Sequence, residues 1–456
     1  MTTPSTLPPV EQLRAEFGDQ LIGPGDGRYD DARTLFMGGM DRRPAAIVRP
    51  RDATDVARVI RVARETGAEL AVKSGGHSTA GHSVVDDGIV IDLAEMRRFE
   101  LDPDSRTVWA QTGLTAHEYT QRAGEHGLAT GFGDAGTVGI GGITLGGGVG
   151  FLSRAYGLTI DELLAAEIVT AEGEILEIDG ENHPDLFWAI RGGGGNFGVA
   201  TRFKYRLRSV PQVVGGMLFL PATPEVVTGF LAAADAAPDE LSTILNVMPA
   251  PPMPFIPEDR QGELICMAYM CFAGSADEGE RVIQPFRELA TPIADMVGPI
   301  PYSEMYQPPQ EDYHPMASGR NLFVDEVDDG VAAMIIDTLN ESDAVMRVTQ
   351  LRVLGGAISR VPEDATAYPH RREKIMVNVA AFYTSPEDKL VRDAWVADYA
   401  KRLAGGNTAA YVNFISEGLD DVLAAAYPGP TLERLREVKR RYDPANLFRH
   451  NHNISP

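Results

Sequence analysis

Two histidines stand five residues apart in the segment "VKSGGHSTAGHS", residues 72–83, directly after a short apolar run. His77 and His82 could share a metal ion, but no acidic or cysteine residue lies nearby at ligand spacing. His77 could equally be an ordinary hydrogen-bonded loop histidine. A third possibility is covalent, because a neutral imidazole can act as a nucleophile toward a bound cofactor. The residue types alone leave these three interpretations open.

Glycine-rich segments recur twice more along the chain, as "GDAGTVGIGGITLGGGVG" at residues 133–150 and "RGGGGNFGV" at residues 191–199. Backbone this bare is typical of loops whose N–H groups surround a pyrophosphate. The sequence contains no GxxxxGK[ST] phosphate-binding loop. The nicotinamide fingerprint also fails, because Thr144 occupies the position of its third glycine. We therefore predict a large dinucleotide held by several separated loops.

The elements that must position these segments alternate between strands and helices in the first half of the chain. Residues 52–66 have apolar positions at helical spacing, which predicts a helix that ends before Gly67. Residues 157–179 are predicted to form a helix and then a hairpin that turns at Glu172 and Gly173. Such alternation indicates an α/β or α+β protein.

Composition changes near Pro211, where prolines become frequent and the glycine runs stop. A chain of 456 residues exceeds the size at which one core usually keeps growing, so we expect a second domain there. The last fifty residues are predicted to contain a strand at "YVNF", residues 411–414, then a helix and an extended polar end. Cys266 and Cys271 lie on opposite faces of a predicted strand and are expected to pack in the core without a disulfide.

The bulk charge excludes some partners. A formal net charge of −24 leaves no basic surface to attract nucleic acid or an anionic membrane. The sequence has no apolar run long enough to span a membrane, and its start lacks the features of a secretory signal. We therefore expect a cytoplasmic protein without nucleic-acid or membrane partners; the sequence does not indicate an oligomeric state.

Four segments, in order along the chain, carry a specific resemblance: "SGGHSTAGHSVVDDGIVIDL", "GTVGIGGITLGGGVGFLSRAYGL", "DLFWAIRGGGGNFGV" and "YDPANLFRHNHNISP". Together they resemble the flavin-linked oxidases of the vanillyl-alcohol-oxidase superfamily, and within it the berberine-bridge-enzyme-like branch. The resemblance implies an α+β fold. It places a PCMH-type FAD-binding domain of two subdomains at residues 1–210. A substrate-binding domain, with an antiparallel sheet covered by helices, would follow at 211–405, and a segment returning to the first domain at 406–456.

The same resemblance implies a set of site residues. His77 would be bonded covalently to the methyl group on the benzenoid ring of FAD. Plant members often hold a second link through a cysteine, but Ala135 occupies that position here, so only one covalent bond is implied. The other implied cofactor-binding residues are Ser74, Gly75, Gly76, Ser78, Gly81, His82, Thr137, Val138, Gly139, Gly141, Gly142, Gly146, Gly150, Gly198, Val199, Asn451 and Asn453. No metal is implied.

The catalytic base is not evident from the resemblance. Plant members commonly carry a tyrosine where this chain has Phe414. On a strand Tyr411 and Asn413 would share one face and Phe414 the other, so Tyr411 would not simply substitute. The base candidates are Tyr411, Tyr302 and Tyr306, followed by Tyr269, His314 and Tyr383.

The expected function is that of a flavin-dependent oxidase. A small valine at position 138 resembles the oxygen-reactive members of the family, so O₂ is the expected acceptor and H₂O₂ the product. The substrate would be a small amine, hydroquinone or phenolic compound, or a secondary-metabolite alcohol. Two alternatives stay open: an FAD-dependent dehydrogenase that uses a quinone-type acceptor, and a low-turnover flavoprotein that sequesters a small molecule.

Overall fold

The computed structural model describes residues 9–308, 313–416 and 421–456. Two small sheets lie in its first part. The strands there are β1 (Leu21–Ile22), β2 (Ala46–Val48), β3 (Leu70–Lys73), β4 (Ile89–Asp92), β5 (Phe99–Asp102), β6 (Thr107–Gln111), β7 (Leu128–Ala129), β8 (Leu163–Val169), β9 (Ile175–Asp179), β10 (Val199–Arg206) and β11 (Arg208–Ser209). The helices there are α1 (Pro9–Phe17), α2 (Tyr29–Arg33), α3 (Ala53–Thr66), α4 (Ala116–Gly124), α5 (Ile140–Gly146), α6 (Ser153–Tyr156) and α7 (Pro184–Ala189).

The first sheet has the strand order β1, β2, β4, β3, and both β2 and β3 pair parallel with β4. The second sheet is antiparallel, with the order β5, β6, β10, β8, β9. Strands β7 and β11 form a separate short pair. The first glycine segment begins where β3 ends, and the third ends where β10 begins, so each is anchored to a sheet.

Helix α3 confirms the prediction for residues 52–66. The Asp52 side chain accepts a hydrogen bond from the Asp55 backbone N–H at its start, and Gly67 ends it with a φ of 70°. Its apolar face, which includes Val56 and Ile60, is fully buried in one core with strands of the first sheet. That packing fixes β3, the strand from which the first glycine segment leaves.

The prediction for residues 157–179 is half right. The hairpin is confirmed: β8 and β9 pair antiparallel, and Gly173 has a φ of 81° at the turn. The helix is wrong, because only a 3-10 turn at Thr159–Asp161 precedes β8. The apolar run from Leu163 fits either structure by pattern, and pairing with β9 and β10 on its two sides makes it a central strand.

One large antiparallel sheet dominates the second part. Its strands are β12 (Gln212–Pro221), β13 (Leu241–Pro249), β14 (Leu264–Phe272), β15 (Ala294–Asp295), β16 (Gly298–Pro301), β17 (Ala317–Val324), β18 (Arg347–Val353) and β19 (Ile375–Phe382). Their order is β15, β12, β14, β13, β18, β19, β17, with β16 beside β12. The helices of this part are α8 (Pro224–Ala236), α9 (Ala276–Arg287), α10 (Asp329–Glu341), α11 (Ala357–Arg360) and α12 (Pro386–Ala404).

The two faces of this sheet belong to different cores. One face packs with helices α8, α9, α10 and α12, and Cys266 lies in that core. The other face packs with the first part of the chain, and Cys271 lies there. Both cysteines are buried free thiols on opposite faces, as predicted. The second face therefore covers the region where the glycine segments meet.

The C-terminal part contains α13 (Val422–Ala426) and α14 (Pro430–Tyr442). The predicted strand at residues 411–414 is wrong, since Val412–Phe414 is a 3-10 turn. The Tyr411 backbone N–H donates to the Asn321 side chain at 2.6 Å instead of joining a strand ladder. Among the described residues, no helix is both long and apolar enough to cross a bilayer.

Candidate active site

A cavity of about 400 Å³ lies where the three glycine segments, residues 411–415 and the C-terminal segment meet. It brings together most of the residues that the sequence predicted. The predicted residues that line it are Ser74, Gly75, Gly76, His77, Ser78, His82, Val138, Gly139, Gly141, Gly142, Gly198, Val199, Asn451 and Tyr411.

The first and second glycine segments touch through bare backbone. A Cβ on Gly75 would collide with the backbone of Gly139, and a Cβ on Gly139 with that of Gly75. The Ser74 hydroxyl bridges the two segments: it donates to the Thr112 carbonyl at 2.5 Å and accepts from the Gly141 N–H at 3.3 Å. Glycine at these two positions is therefore required for contact between the loops.

Other glycines leave open space toward the cavity. A Cβ on Gly142 or Gly195 would meet no atom within 4 Å, and both residues line the cavity. Asn451 also lines the cavity: its Nδ2 donates to the Gly195 carbonyl at 3.4 Å, and its Oδ1 is buried without a hydrogen-bond partner. Open backbone together with an unsatisfied acceptor fits an extended dinucleotide that carries N–H donors.

The His77 ring lies in this cavity in a mostly apolar environment. Phe36 stacks on it with ring centroids 4.0 Å apart and an interplanar angle of 13°. Burial lowers the pKa of His77 from its usual 6.5 to about 4, and the Asp134 carboxylate and a backbone hydrogen bond to Thr137 oppose this shift only in part. The imidazole is therefore neutral at physiological pH, which leaves one ring nitrogen with a free lone pair.

His82 lies in a different environment. Its ring is 4.7 Å from that of His452 and 5.9 Å from that of His450. Burial lowers its pKa to about 3, and His452, His450 and Arg42 add to the shift. The described residues contain no cluster of metal-ligating side chains that could hold an ion. This group joins the first glycine segment to the C-terminal segment.

Five predicted cofactor-binding residues do not line the cavity: Gly81, Thr137, Gly146, Gly150 and Asn453. Two of them permit close packing of the chain. A Cβ on Gly146 would collide with the Asn413 side chain, and one on Gly150 with the Phe132 carbonyl. Asn453 Oδ1 is buried without a partner, like Asn451 Oδ1.

The structure does not bring Tyr302 and Tyr306 to the cavity. Both side chains are fully buried, and their hydroxyls lie 2.9 Å apart. The Tyr306 hydroxyl also donates to the Gly133 carbonyl at 3.1 Å and accepts from the Phe132 N–H at 3.3 Å. These bonds fix the start of the second glycine segment, so the two tyrosines support the loop rather than face a substrate. Tyr269, His314 and Tyr383 also lie outside the cavity lining.

Tyr411, Asn413 and Phe414 all line the cavity, because the 3-10 turn presents them together. The Tyr411 hydroxyl accepts hydrogen bonds at 2.8 Å from the Gly148 N–H and from Asn413 Nδ2. Burial raises the pKa of Tyr411 to about 12. Its hydroxyl is therefore protonated and occupied by donors, which is the wrong state for a base.

Sequence reasoning missed several lining residues, above all Asp134. It is the one charged residue within the second glycine segment, and that isolated charge was the available signal. Asp134 forms an ion pair with Arg352 at 2.8 Å, across the boundary between the loop and the large sheet. Phe36, His450 and His452 also line the cavity, and their positions depend on contacts between distant parts of the chain.

Comparisons with known proteins agree with this geometry. The family profile described as FAD binding domain matches residues 44–179, and the one described as berberine and berberine like matches 410–455. The uncharacterised FAD-linked oxidoreductase YvdP of Bacillus subtilis is 30% identical over 453 residues, which span 96% of this chain and 98% of that protein. The chain belongs to the berberine-like family of FAD-linked oxidoreductases.

Relatives with an assigned activity align with this berberine-like oxidoreductase over almost its whole length. (R)-6-hydroxynicotine oxidase of Paenarthrobacter nicotinovorans is 29% identical over 464 residues, 96% of each chain. The crystal structure of 6-hydroxy-D-nicotine oxidase from Arthrobacter nicotinovorans gives a TM-score of 0.84 at 28% identity and covers 96% of this chain and 97% of that one. Xylooligosaccharide oxidase from Myceliophthora thermophila gives a TM-score of 0.85 at 23% identity, with 98% and 99% coverage, which bears on the fold alone. These findings confirm the predicted α+β PCMH-type fold and the enzyme class.

Proposed function

We propose that this protein is an oxidase that carries FAD bonded through His77 alone and removes a hydride from a small organic substrate. The observation that carries the proposal is the neutral His77 imidazole, placed in a cavity built from three glycine segments. A neutral ring nitrogen is what a bond to the methyl group of the flavin requires. Bound FAD supplies a two-electron acceptor that O₂ can reoxidise with release of H₂O₂.

The residues that would hold the cofactor contribute different chemical groups. Gly75 and Gly139 keep the first and second glycine segments in contact, and Gly142 leaves open space in which backbone can approach the pyrophosphate. Asn451 offers an unpaired Oδ1 to an N–H of the ring system. Ala135 lines the same cavity without a thiol, so His77 is the single attachment point.

Val138 supports oxygen as the acceptor, because this short side chain lines the cavity at the second glycine segment. The proposed three-part division at residues 210 and 405 fits the function as well. The sheets before Val210 carry the glycine segments, and the large sheet after it covers the cavity. A substrate would then bind between the cofactor and that sheet.

The experiment is anaerobic mixing of the purified holoprotein with a panel of alcohols, sugars, amines and hydroquinones, followed by mixing with oxygenated buffer. We expect at least one compound to bleach the flavin absorbance, and oxygen to restore it rapidly with one H₂O₂ formed for each flavin reoxidised. Reoxidation that is slow with oxygen but fast with a quinone would assign the protein to the dehydrogenases. Tight binding of a panel compound with no bleaching would favour sequestration.

A further inference from the structure

Oxidation of an alcohol removes a hydride from carbon and a proton from oxygen, and a positioned base contributes about 10²- to 10⁴-fold to such a step. Neutral amines expel hydride through their own lone pair and need no base. In this chain Phe414 has no hydroxyl, and the Tyr411 hydroxyl is occupied by the Gly148 N–H and Asn413. A base, if the site has one, must come from another residue.

Asp134 is the one carboxylate among the cavity-lining residues of the described chain. Its side chain is 27% exposed, whereas its ion-pair partner Arg352 is 4% exposed. Arg352 Nη2 donates to Asp134 Oδ2 at 2.8 Å. Among the described residues, none donates a hydrogen bond to Asp134 Oδ1, so that oxygen can accept one from a molecule in the cavity.

Arg352 is itself held in place from two sides. Its guanidinium carbon lies 5.2 Å from the centre of the Phe414 ring. Its Nε and Nη2 both donate to Gln350 Oε1, at 3.0 Å and 2.7 Å. With these contacts the guanidinium cannot turn away, and the carboxylate it binds keeps its orientation.

Gln350 belongs to a row of side-chain amides that crosses four neighbouring strands of the large sheet. The strand register pairs each amide with the one on the next strand. The row runs from Asn246 on β13 through Gln350 on β18 and Asn378 on β19 to Asn321 on β17. Each amide bonds to the next at 2.7–3.1 Å. The row ends at the Tyr411 backbone N–H, which donates to Asn321 Oδ1. The sheet therefore connects Asp134 to the segment that carries Phe414 through continuous hydrogen bonds.

We propose that Asp134 is the proton acceptor of this site and that the substrate is an alcohol, oxidised at the carbon that bears its hydroxyl. This inference rests on the oxidase function proposed above. The O–H bond breaks and its proton bonds to Asp134. The C–H bond breaks, its hydride leaves with two electrons for the FAD, and the substrate becomes a carbonyl compound. O₂ later takes the two electrons and the proton that came with the hydride, and the proton that Asp134 releases completes H₂O₂.

The test compares Asp134→Asn with the wild-type holoprotein in anaerobic stopped-flow reduction by the best alcohol of the panel. Asparagine keeps the shape of the side chain but cannot take the proton. We expect the limiting reduction rate to fall 10²- to 10⁴-fold. Asp239→Asn, which breaks an exposed pair with Arg360, is the matched control and should reduce like the wild type. Reduction of Asp134→Asn within a few-fold of wild type would overturn the proposal.

A second measurement decides the placement of Asp134 without turnover. The probe is 4-nitrophenol, whose ionisation is followed by absorbance while it is bound to the oxidised holoprotein. A carboxylate next to the bound hydroxyl opposes its ionisation, so Asp134→Asn should lower the apparent pKa of the bound probe by about 1 pH unit or more. Equal values in both proteins would refute the assignment. If no panel compound reduces the wild type, the proposed oxidase function is wrong. The titration of bound 4-nitrophenol then still shows whether the Asp134 carboxylate lies next to a bound hydroxyl.

Discussion

At the scale of single residues, His77 and His82 belong to the same glycine segment and differ in the side chains that surround their rings. Both rings line the cavity, and burial keeps both neutral. His77 lies beside the Asp134 carboxylate and under Phe36, while His82 packs against two further histidines. The surroundings of His77 fit a ring that is bonded to a cofactor. Those of His82 fit a structural contact with the C-terminal segment.

The environment of His82 predicts a pH dependence of stability. Its pKa is about 3 in the folded protein against a usual value of 6.5, so the unfolded chain binds more protons between these values. The contribution of His82 is therefore fully present above pH 6.5 and is lost as the pH falls toward 3. Between pH 7.5 and 5.5 that loss amounts to about 1.4 kcal/mol. Urea unfolding at the two pH values should show a smaller difference for His82→Gln than for wild type.

The matched control for this measurement is His126→Gln, since His126 is exposed on the surface. It should retain the wild-type difference between the two pH values. If His82→Gln and His126→Gln behave alike, the buried histidine contact does not contribute to the pH dependence.

At the scale of elements, the cavity depends on how the C-terminal helix α14 holds the third glycine segment. Lys439 on α14 is fully buried and pairs with Asp443 at 2.7 Å. Its ammonium also donates to the carbonyls of Asn196 and Phe448, at 2.8 Å and 3.0 Å. One side chain thus fixes the third glycine segment and the start of the C-terminal segment relative to each other.

Removal of this ammonium should destabilise the protein strongly. Lys439→Met leaves Asp443 buried without its partner, and we expect a loss of about 3–5 kcal/mol in the free energy of unfolding. Lys389→Met is the matched control, because Lys389 forms the same i,i+4 pair with Asp393 on α12 but is 41% exposed. That change should cost at most about 1 kcal/mol. Similar losses in urea unfolding for both variants would contradict the role of Lys439.

The second glycine segment allows a test of cofactor approach that leaves the fold intact. A Cβ on Gly142 meets no protein atom within 4 Å, yet it would project where the cofactor is proposed to lie. Gly142→Ala should therefore fold normally, with an unchanged circular dichroism spectrum, and purify with a several-fold lower ratio of flavin to protein. Gly180→Ala, an equally open site away from the cavity, should carry the wild-type amount. Full flavin content in Gly142→Ala would argue against this placement.

The sequence predicted the parts of the site that are local. The glycine segments and His77 are short-range patterns, and helix α3 is defined by its own cap residues. The turn at residues 411–414 was predicted as a strand because its bonds to Asn321 and Ile143 are long-range. Asp134 and Arg352 are 218 residues apart, and packing of the second glycine segment against the large sheet brings them together. Contacts of this kind leave no periodicity in the sequence.

At the scale of the whole molecule, distant segments meet around one cavity, so cofactor binding and stability should be coupled. In the proposed covalent holoprotein, added FAD has no vacant site to fill. His77→Ala should still bind FAD through the remaining wall, but reversibly. Its melting temperature should rise as FAD is added, since a ligand that binds only the folded state stabilises it by mass action.

Thermal unfolding monitored by circular dichroism, with increasing FAD, checks this coupling. We expect a rise for His77→Ala and none for wild type or His82→Gln. A concentration-dependent rise in the wild type would mean that its cofactor is exchangeable.

Mass spectrometry of the proteolytic peptide that contains residues 74–83, isolated from fresh holoprotein in the dark, tests the proposed bond between His77 and FAD. We expect this peptide to carry the added mass of FAD, and fragmentation to place that mass on His77. Recovery of only the unmodified peptide, with all flavin released into the supernatant on denaturation, would contradict it.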